Sequence, residues 1–395
     1  MNLKQLTQEF SELFSYGTTE GVRSFFSPGR INLIGEHTDY NGGRVFPCAI
    51  TYGTYGIAKK RDDHCFRLFS KNFPDAGFIE FTLDGLDYEA GHTWGNFPKG
   101  MIRYIIEAGW EIPNGMDILI DGNIPNGAGL SSSASLEMLI GVIANELFGL
   151  EIPRISLVQI GKRVENEFIG VNSGIMDQFA VGLGKKDCGI LLDCETLEYE
   201  YAPLHINGYK IIIMNTNKRR ELADSKYNER RSQCESALAY LQKELNIRSL
   251  GALTEHQFDT HMHLIPDEIL QKRARHAVYE NGRTKEALTE LKNGNLESFG
   301  KLMNESHRSL KDDYEVTGIE LDTLVEAAWQ QSGTLGARMT GAGFGGCAIA
   351  LVAAAQTDSF IEEVGKAYKD KIGYDASFYV AHIGDGTKEI TAEVE

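Results

Sequence analysis

The sequence predicts an α+β protein of two domains, and three observations predict it. Its 395 residues are two to three times the ~150 residues typical of one domain. Short runs with strand character fill residues 22 to 120, and longer helical patterns come after them. The two kinds of element are segregated rather than strictly alternating, which is the order of an α+β chain and not of a parallel α/β sheet.

Composition narrows the class. Apolar residues make up 42% and charged residues 24% of the chain, the balance of a globular protein able to bury a sizeable core. A net charge of −17 argues against nucleic acid or an anionic membrane as the main partner, because both demand a basic surface. Any phosphate site must be built locally. Six scattered cysteines without C-x-x-C spacing suggest neither a zinc site nor a disulfide framework, and reduced thiols fit a cytoplasmic protein. No run reaches the ~18–20 apolar residues of a membrane-spanning helix.

In chain order, "MNLKQLTQEFSELF" spaces Leu3, Leu6, Phe10, Leu13 and Phe14 as one face of an amphipathic helix. Strands are predicted at "RSFFSP", "RINLIGEH", "RVFPCAI", "TYGIAKK", "CFRLFS" and "FIEFTL", then a helix at "KGMIRYIIEAG" and a strand at "GMDILIDG". Helices are predicted at "SSASLEMLIGVIANELFG", "RISLVQIGKRVENEF" and, beyond the strand "YKIIIMN", at "DSKYNERRSQCESALAYLQKEL". Residues 266–331 read as almost wholly helical. The end returns to strands at "GARMTG", "GCAIALVAA" and "SFYVAHI", with the helix "IEEVGKAYKDKI" before the last. No Pro/Gly/Ser-rich linker separates the halves; the boundary is set near residue 205, giving domains 1–205 and 206–395.

Three stretches carry chemistry. "PGRINLIGEHTDYNGG" places an arginine, a glutamate, a histidine and an aspartate within ten positions between glycines. Such groups pair strongly with hydroxyls when water is removed, the alternative being a solvated charged loop. In "PNGAGLSSSASLEMLIG", Gly127 and Gly129 permit close backbone approach to a ligand. The helix after them offers free N–H groups and its positive dipole end to an anion. Ser131, Ser132 and Ser133 add hydroxyls able to cap the helix or ligate Mg²⁺; a plain capped helix is the competing reading. No Walker lysine is present, so P-loop chemistry is not indicated. "MTGAGFGGCAIAL" contains a literal G-x-G-x-x-G, but the apolar run after it reads as a buried strand. It is therefore expected to be a strand–turn–strand rather than a dinucleotide loop.

Together these stretches resemble the three motifs of the galactokinase, homoserine kinase, mevalonate kinase and phosphomevalonate kinase (GHMP) superfamily. "GRINLIGEHTDYNGG" is similar to the sugar signature of its galactokinase branch, as are "GVNSGIMDQF", "LADSKYNERR" and "MNESHRSLKDDYEVTGIELD" to further segments. The resemblance implies an N-terminal domain like ribosomal protein S5 domain 2, a ferredoxin-like C-terminal domain and an active site between them. It implies phosphoryl transfer from MgATP to galactose, with oligomeric state left open and a monomer compatible. Arg30 and Asp177 are then the catalytic pair, Asp177 accepting a proton and Arg30 stabilising the transferring group. Glu36, His37, Thr38 and Asp39 line the sugar pocket, with Gly174 and Tyr227. Gly127, Ala128, Gly129, Leu130, Ser131, Ser132 and Ser133 cradle the nucleotide, Ser70 touches it, and Ser133 with Glu165 holds Mg²⁺. Lys218, Arg219, Arg220, Arg230 and Arg231 either offset the acidic background near the phosphates or form a solvated face. The alternatives are a kinase for N-acetylgalactosamine or another sugar, or a sensor that binds galactose and ATP without turnover.

Overall fold

In "CFRLFS" every second residue, Phe66, Leu68 and Ser70, is buried, the period of two that turns one face of a strand to a core. The computed structural model describes residues 2–125, 127–218 and 223–393. Its strands are β1 (Arg23–Asn32), β2 (Arg44–Val45), β3 (Pro47–Lys60), β4 (Cys65–Ser70), β5 (Ile79–Thr82), β6 (Met116–Gly122), β7 (Cys188–Asp193), β8 (Tyr199–Pro203), β9 (Tyr209–Asn215), β10 (Thr334–Thr340), β11 (Cys347–Ala353), β12 (Ser377–Ala381) and β13 (Lys388–Glu389). Its α-helices are α1 (Leu3–Leu13), α2 (Asn96–Glu107), α3 (Ser132–Phe148), α4 (Arg154–Arg163), α5 (Met176–Leu183), α6 (Ala223–Leu241), α7 (Glu255–His261), α8 (Glu268–Lys292), α9 (Leu296–Asp312), α10 (Gly318–Trp329) and α11 (Thr357–Ile372).

The strands form a six-stranded sheet in the order β13-β1-β3-β6-β4-β5, a four-stranded sheet β10-β11-β9-β12 and a three-stranded sheet β2-β7-β8. Among the described residues only β4 and β6 pair in parallel; the remaining ladders are antiparallel. The strands before residue 205 occupy the six- and three-stranded sheets and those after it the four-stranded one, except that β13 returns to pair with β1.

One apolar cluster packs α2, α3 and α5 on the six-stranded sheet through residues such as Phe66, Ile118, Met138 and Phe179. A second covers the four-stranded sheet through Ile212, Leu324, Phe360 and Tyr368. A third joins the two parts, packing Ile31, Ile34 and Cys48 against Ile213, Leu288 and Ile349. That third cluster buries the root of the charged turn, so the turn is held from both sides.

Local differences separate the structure from the sequence reading, and at two of them a glycine is the cause. "RSFFSP" and "RINLIGEH" are one strand, β1, broken only by a register shift between Pro28 and Arg30. At that shift a Cβ on Gly29 would lie 2.7 Å from the Leu130 carbonyl. The glycine thus marks where another backbone leans on the strand. "TYGIAKK" continues directly from "PCAI" as β3, because Gly53 accommodates Ser27 and Phe26 rather than making a turn. The helix predicted through "KRVENEF" ends as α4 at Arg163 and is rewound as a π-helix over Val164–Ile169. The hairpin β7–β8 and the short β13 were not predicted. The "MTGAGFGGCAIAL" stretch is the strand–turn–strand β10–β11.

Candidate active site

A cleft of about 370 Å³ opens between the two parts of the molecule. The phosphate-type loop forms one side. Gly127 and Gly129 both have positive φ, 69° and 70°, and so does Ser131 at 63°, a conformation that costs a non-glycine residue energy and is concentrated at functional sites. Ser131 occupies the N-cap position of α3, yet its side chain does not cap the helix; it donates to Oδ2 of Asp177 instead. The first N–H groups of α3 therefore lack a side-chain cap and keep their capacity for an anion. The loop is pinned to β1 by Arg30 N donating to the Leu130 carbonyl at 3.1 Å. Ala128 is fully buried behind it.

Arg30 leaves β1 just beyond the register shift and is almost wholly buried. Its Nε and Nη2 donate to the two oxygens of Asp177, both at 2.9 Å, and Nη1 donates to the Gly129 carbonyl at 2.8 Å. One guanidinium thus ties the strand, the glycine loop and the first turn of α5 together, in the two-pronged geometry that lysine cannot reproduce.

The turn after β1 supplies the opposite wall. Glu36 is buried, and its Oε1 accepts from Gly341 N at 2.6 Å and faces Arg338 Nη1 at 3.4 Å. Burial pushes its carboxyl above the usual range, opposed by Arg338 and Arg30. His37, at φ 60°, is held by both ring nitrogens: Nε2–H donates to the Ala342 carbonyl (3.2 Å), and Nδ1 accepts from Tyr40 Oη (2.8 Å). Burial drives its imidazole down to about 3, so it is neutral at ordinary pH. Thr38 does not face the cleft; it is fully buried and its hydroxyl closes the turn onto the Arg44 carbonyl at 2.7 Å.

Asp39 lines the cleft. Burial first, and the Asp177 charge second, raise its carboxyl to about 6 against the lowering effect of the Tyr40 and Met176 N–H groups. A Cβ on Gly174 would lie 1.8 Å from Asp39 Oδ2, which explains a glycine there by space alone. The Tyr227 ring stands 5.5 Å from that of His37 and completes this wall.

Between the walls, Ser133 Oγ donates to Glu165 Oε1 at 2.5 Å. The π-helical turn carries Glu165 into the cleft, an irregularity common at functional sites. Glu165 makes no ion pair among the described residues, and burial raises its carboxyl. Two hard oxygens with an unneutralised charge suit a hard divalent cation completed by phosphate and water. Among the described residues there is no cluster of three or more His, Cys, Asp and Glu side chains placed to hold a metal by themselves.

Other expected residues lie elsewhere. Ser70 ends β4, buried and bonded to Asn72 N, and does not line this cleft. Lys218 pairs with Glu320, Arg230 donates to the carbonyls of Tyr314 and Glu315, and Arg231 binds Glu235 and the Asn172 carbonyl. These three are tied to the protein, not spread around the cleft; Arg219 and Arg220 lie outside the described residues. The sequence reading missed Arg338, Glu280 and His276, three fully buried polar residues that grip the turn from β10 and α8. A lone Arg in "GARMTG" and a mid-helix Glu give no periodic or motif signal.

Glycine loop, uncapped helix and Arg–Asp pair together define a small-molecule kinase of the GHMP type. Residues 96–185 match the N-terminal domain of GHMP kinases and 287–370 their C-terminal domain, while residues 8–60 match the galactokinase galactose-binding signature. Galactokinases of Exiguobacterium sibiricum and Ligilactobacillus salivarius are each 61% identical over 100% and 98% of this chain and 100% of their own. The crystal structure of Lactococcus lactis galactokinase complexed with galactose superposes with a TM-score of 0.96 at 57% identity, covering 98% of this chain and 100% of that one. A mevalonate kinase structure at 20% identity, covering 92% of this chain and 99% of that one, shares the fold with a TM-score of 0.65. The chain belongs to the galactokinase family, and ATP is its co-substrate. Among the described residues no helix is long and apolar enough to cross a membrane.

Proposed function

We propose that this chain transfers the γ-phosphoryl group of MgATP to the anomeric C1 hydroxyl of α-D-galactose, giving α-D-galactose 1-phosphate and ADP. The observation that carries the reading is the two-pronged Arg30–Asp177 pair beside the uncapped N-terminus of α3 in one cleft. The α3 N–H groups and the Gly127–Ser133 loop receive the phosphates. Ser133 and Glu165 hold Mg²⁺, which when bound neutralises charge on the phosphate oxygens. Asp177 accepts the proton of the attacking hydroxyl, and Arg30, oriented by Asp177 and the Gly129 carbonyl, stabilises charge on the group in transit. Glu36 and Asp39 accept hydrogen bonds from ring hydroxyls. Tyr227 packs against the sugar, and Gly174 lets the backbone and Asp39 come close to it. The domains are 1–205 and 206–395, with this cleft between them, and six free thiols fit a cytoplasmic setting.

A panel of sugars with MgATP, tracking ADP release and locating the new phosphate, tests the reading. Galactose is expected to give the highest kcat/KM with phosphate on C1. A higher value for N-acetylgalactosamine or glucose would overturn the sugar, and less than one turnover per protein with any sugar would make the chain a sensor.

A further inference from the structure

Among the described residues Arg338 is the largest side chain completely shielded from solvent, and the reaction as described does not use it. Its Nε donates to Ser306 Oγ at 3.1 Å and Nη1 donates to the Asn32 carbonyl at 2.9 Å, with Glu36 Oε1 at 3.4 Å. Nη2 has no hydrogen-bond partner among the described residues; its nearest acid is Glu280 Oε1 at 3.8 Å. Glu280 is equally buried, accepts from Gly35 N at 3.0 Å and Ser306 Oγ at 2.5 Å, and is paired on its other oxygen with Arg283 at 2.8 Å. Glu36, Arg338 and Glu280 thus form a buried row of alternating charge, continued by the partly buried Arg283.

The row converges on one residue. The Glu36 carbonyl accepts from His276 Nε2 at 3.0 Å, its N–H faces Glu280 Oε1 at 3.4 Å, and its Oε1 is taken by Gly341 N and Arg338. Backbone and one carboxylate oxygen are all committed, and Glu36 borders the cleft. Burying a charge of this kind is costly unless partners are in place, and removing one partner strands the other. We infer that Arg338 is a positioning residue for galactose recognition, holding Glu36 as an ionised acceptor aimed at the sugar. This rests on the proposed galactokinase activity.

The charged and titratable groups facing Glu36 are Arg338 from β10, Arg30 from β1, Glu280 and His276 from α8, and Asp39 from its own turn. Without Arg338, the burial that raises the Glu36 carboxyl loses its largest opposing charge, leaving Arg30 and the hydrogen bond from Gly341 N against it. The carboxyl then takes a proton at higher pH and ceases to accept.

The test compares Arg338→Gln, Arg338→Lys, Glu36→Gln and the double variant Glu36→Gln/Arg338→Gln. The wild type must first turn over galactose; failure there sinks the functional reading and not this inference. Arg338→Gln is expected to raise KM for galactose about tenfold or more, to leave KM for ATP and kcat within about threefold, and to move the acid limb of kcat/KM upward. Lysine should restore part of the loss, since it returns the charge without the fork. Should Arg338→Gln fail to fold, the double variant, which has no stranded Glu36 charge, decides: its KM for galactose should equal that of Glu36→Gln. A further tenfold loss in the double variant, or an unmoved acid limb in a folded Arg338→Gln, would overturn the assignment.

Discussion

Asp177 and Asp39 line the same cleft, and their surroundings differ in one decisive respect. Asp177 receives both prongs of Arg30 and the hydroxyl of Ser131. Asp39 makes no ion pair among the described residues, feels Asp177 as a like charge, and has its carboxyl raised to about 6. On the proposed reaction, these two carboxylates of similar chemistry are given different work. The paired one keeps a fixed geometry at the phosphoryl end. The unpaired one stays a strong acceptor for a hydroxyl, at the cost of titrating near neutrality.

If that division is right, the largest effect belongs to the paired carboxylate. Asp177→Asn keeps the shape but is a far poorer proton acceptor, and should lower kcat by about 10² to 10⁴. Galactose and ATP should still bind within roughly an order of magnitude, because only interactions stronger in the transition state raise kcat. Single-turnover kinetics beside equilibrium binding check this; an undiminished rate would dissolve the distinction between the two carboxylates.

A smaller effect sharpens the boundary between phosphoryl and sugar ends. Glu165→Ala or Ser133→Ala should weaken Mg²⁺-dependent ATP binding by about tenfold, the worth of a charge-assisted contact, while galactose affinity changes little. Calorimetric titration with MgATP and with galactose separates the two. Unchanged MgATP affinity and turnover in both variants would remove the pair from the site.

Much of this arrangement was legible in the sequence. The two glycine clusters at the cleft could be told apart by the element that succeeds each. After "PNGAGLSSS" comes an apolar helix, whose start is uncapped in the structure. After "MTGAGFGG" comes the strand β11, and its Gly341 N–H is spent on Glu36. The features hidden from the sequence were long-range. Arg30 and Asp177 stand 147 positions apart, and only the family resemblance joined them. Ser131 looked like a helix cap and is a partner of Asp177 instead. Arg338 and Glu280 carry no signal in the sequence, because nothing local announces that tertiary packing will bury and pair them. The π turn at Glu165 could not be separated from the helical pattern before it.

The smallest and most specific expectation concerns pH. Because the folded protein raises Asp39 above its ordinary value, this group favours folding most below pH ~4 and loses that contribution as pH rises through about 6. Galactose binding runs the other way, since only the ionised carboxylate accepts from a hydroxyl without donating. His37, lowered to about 3, adds no slope between pH 5 and 8. Titrating galactose into the wild type and Asp39→Asn across that range tests the division of labour between the two carboxylates most directly. Wild-type affinity is expected to be level above pH ~6.5 and to weaken by up to about tenfold per unit below pH ~6, with weaker binding and a reduced slope in Asp39→Asn. A wild-type affinity that is flat from pH 5 to 8 would contradict it.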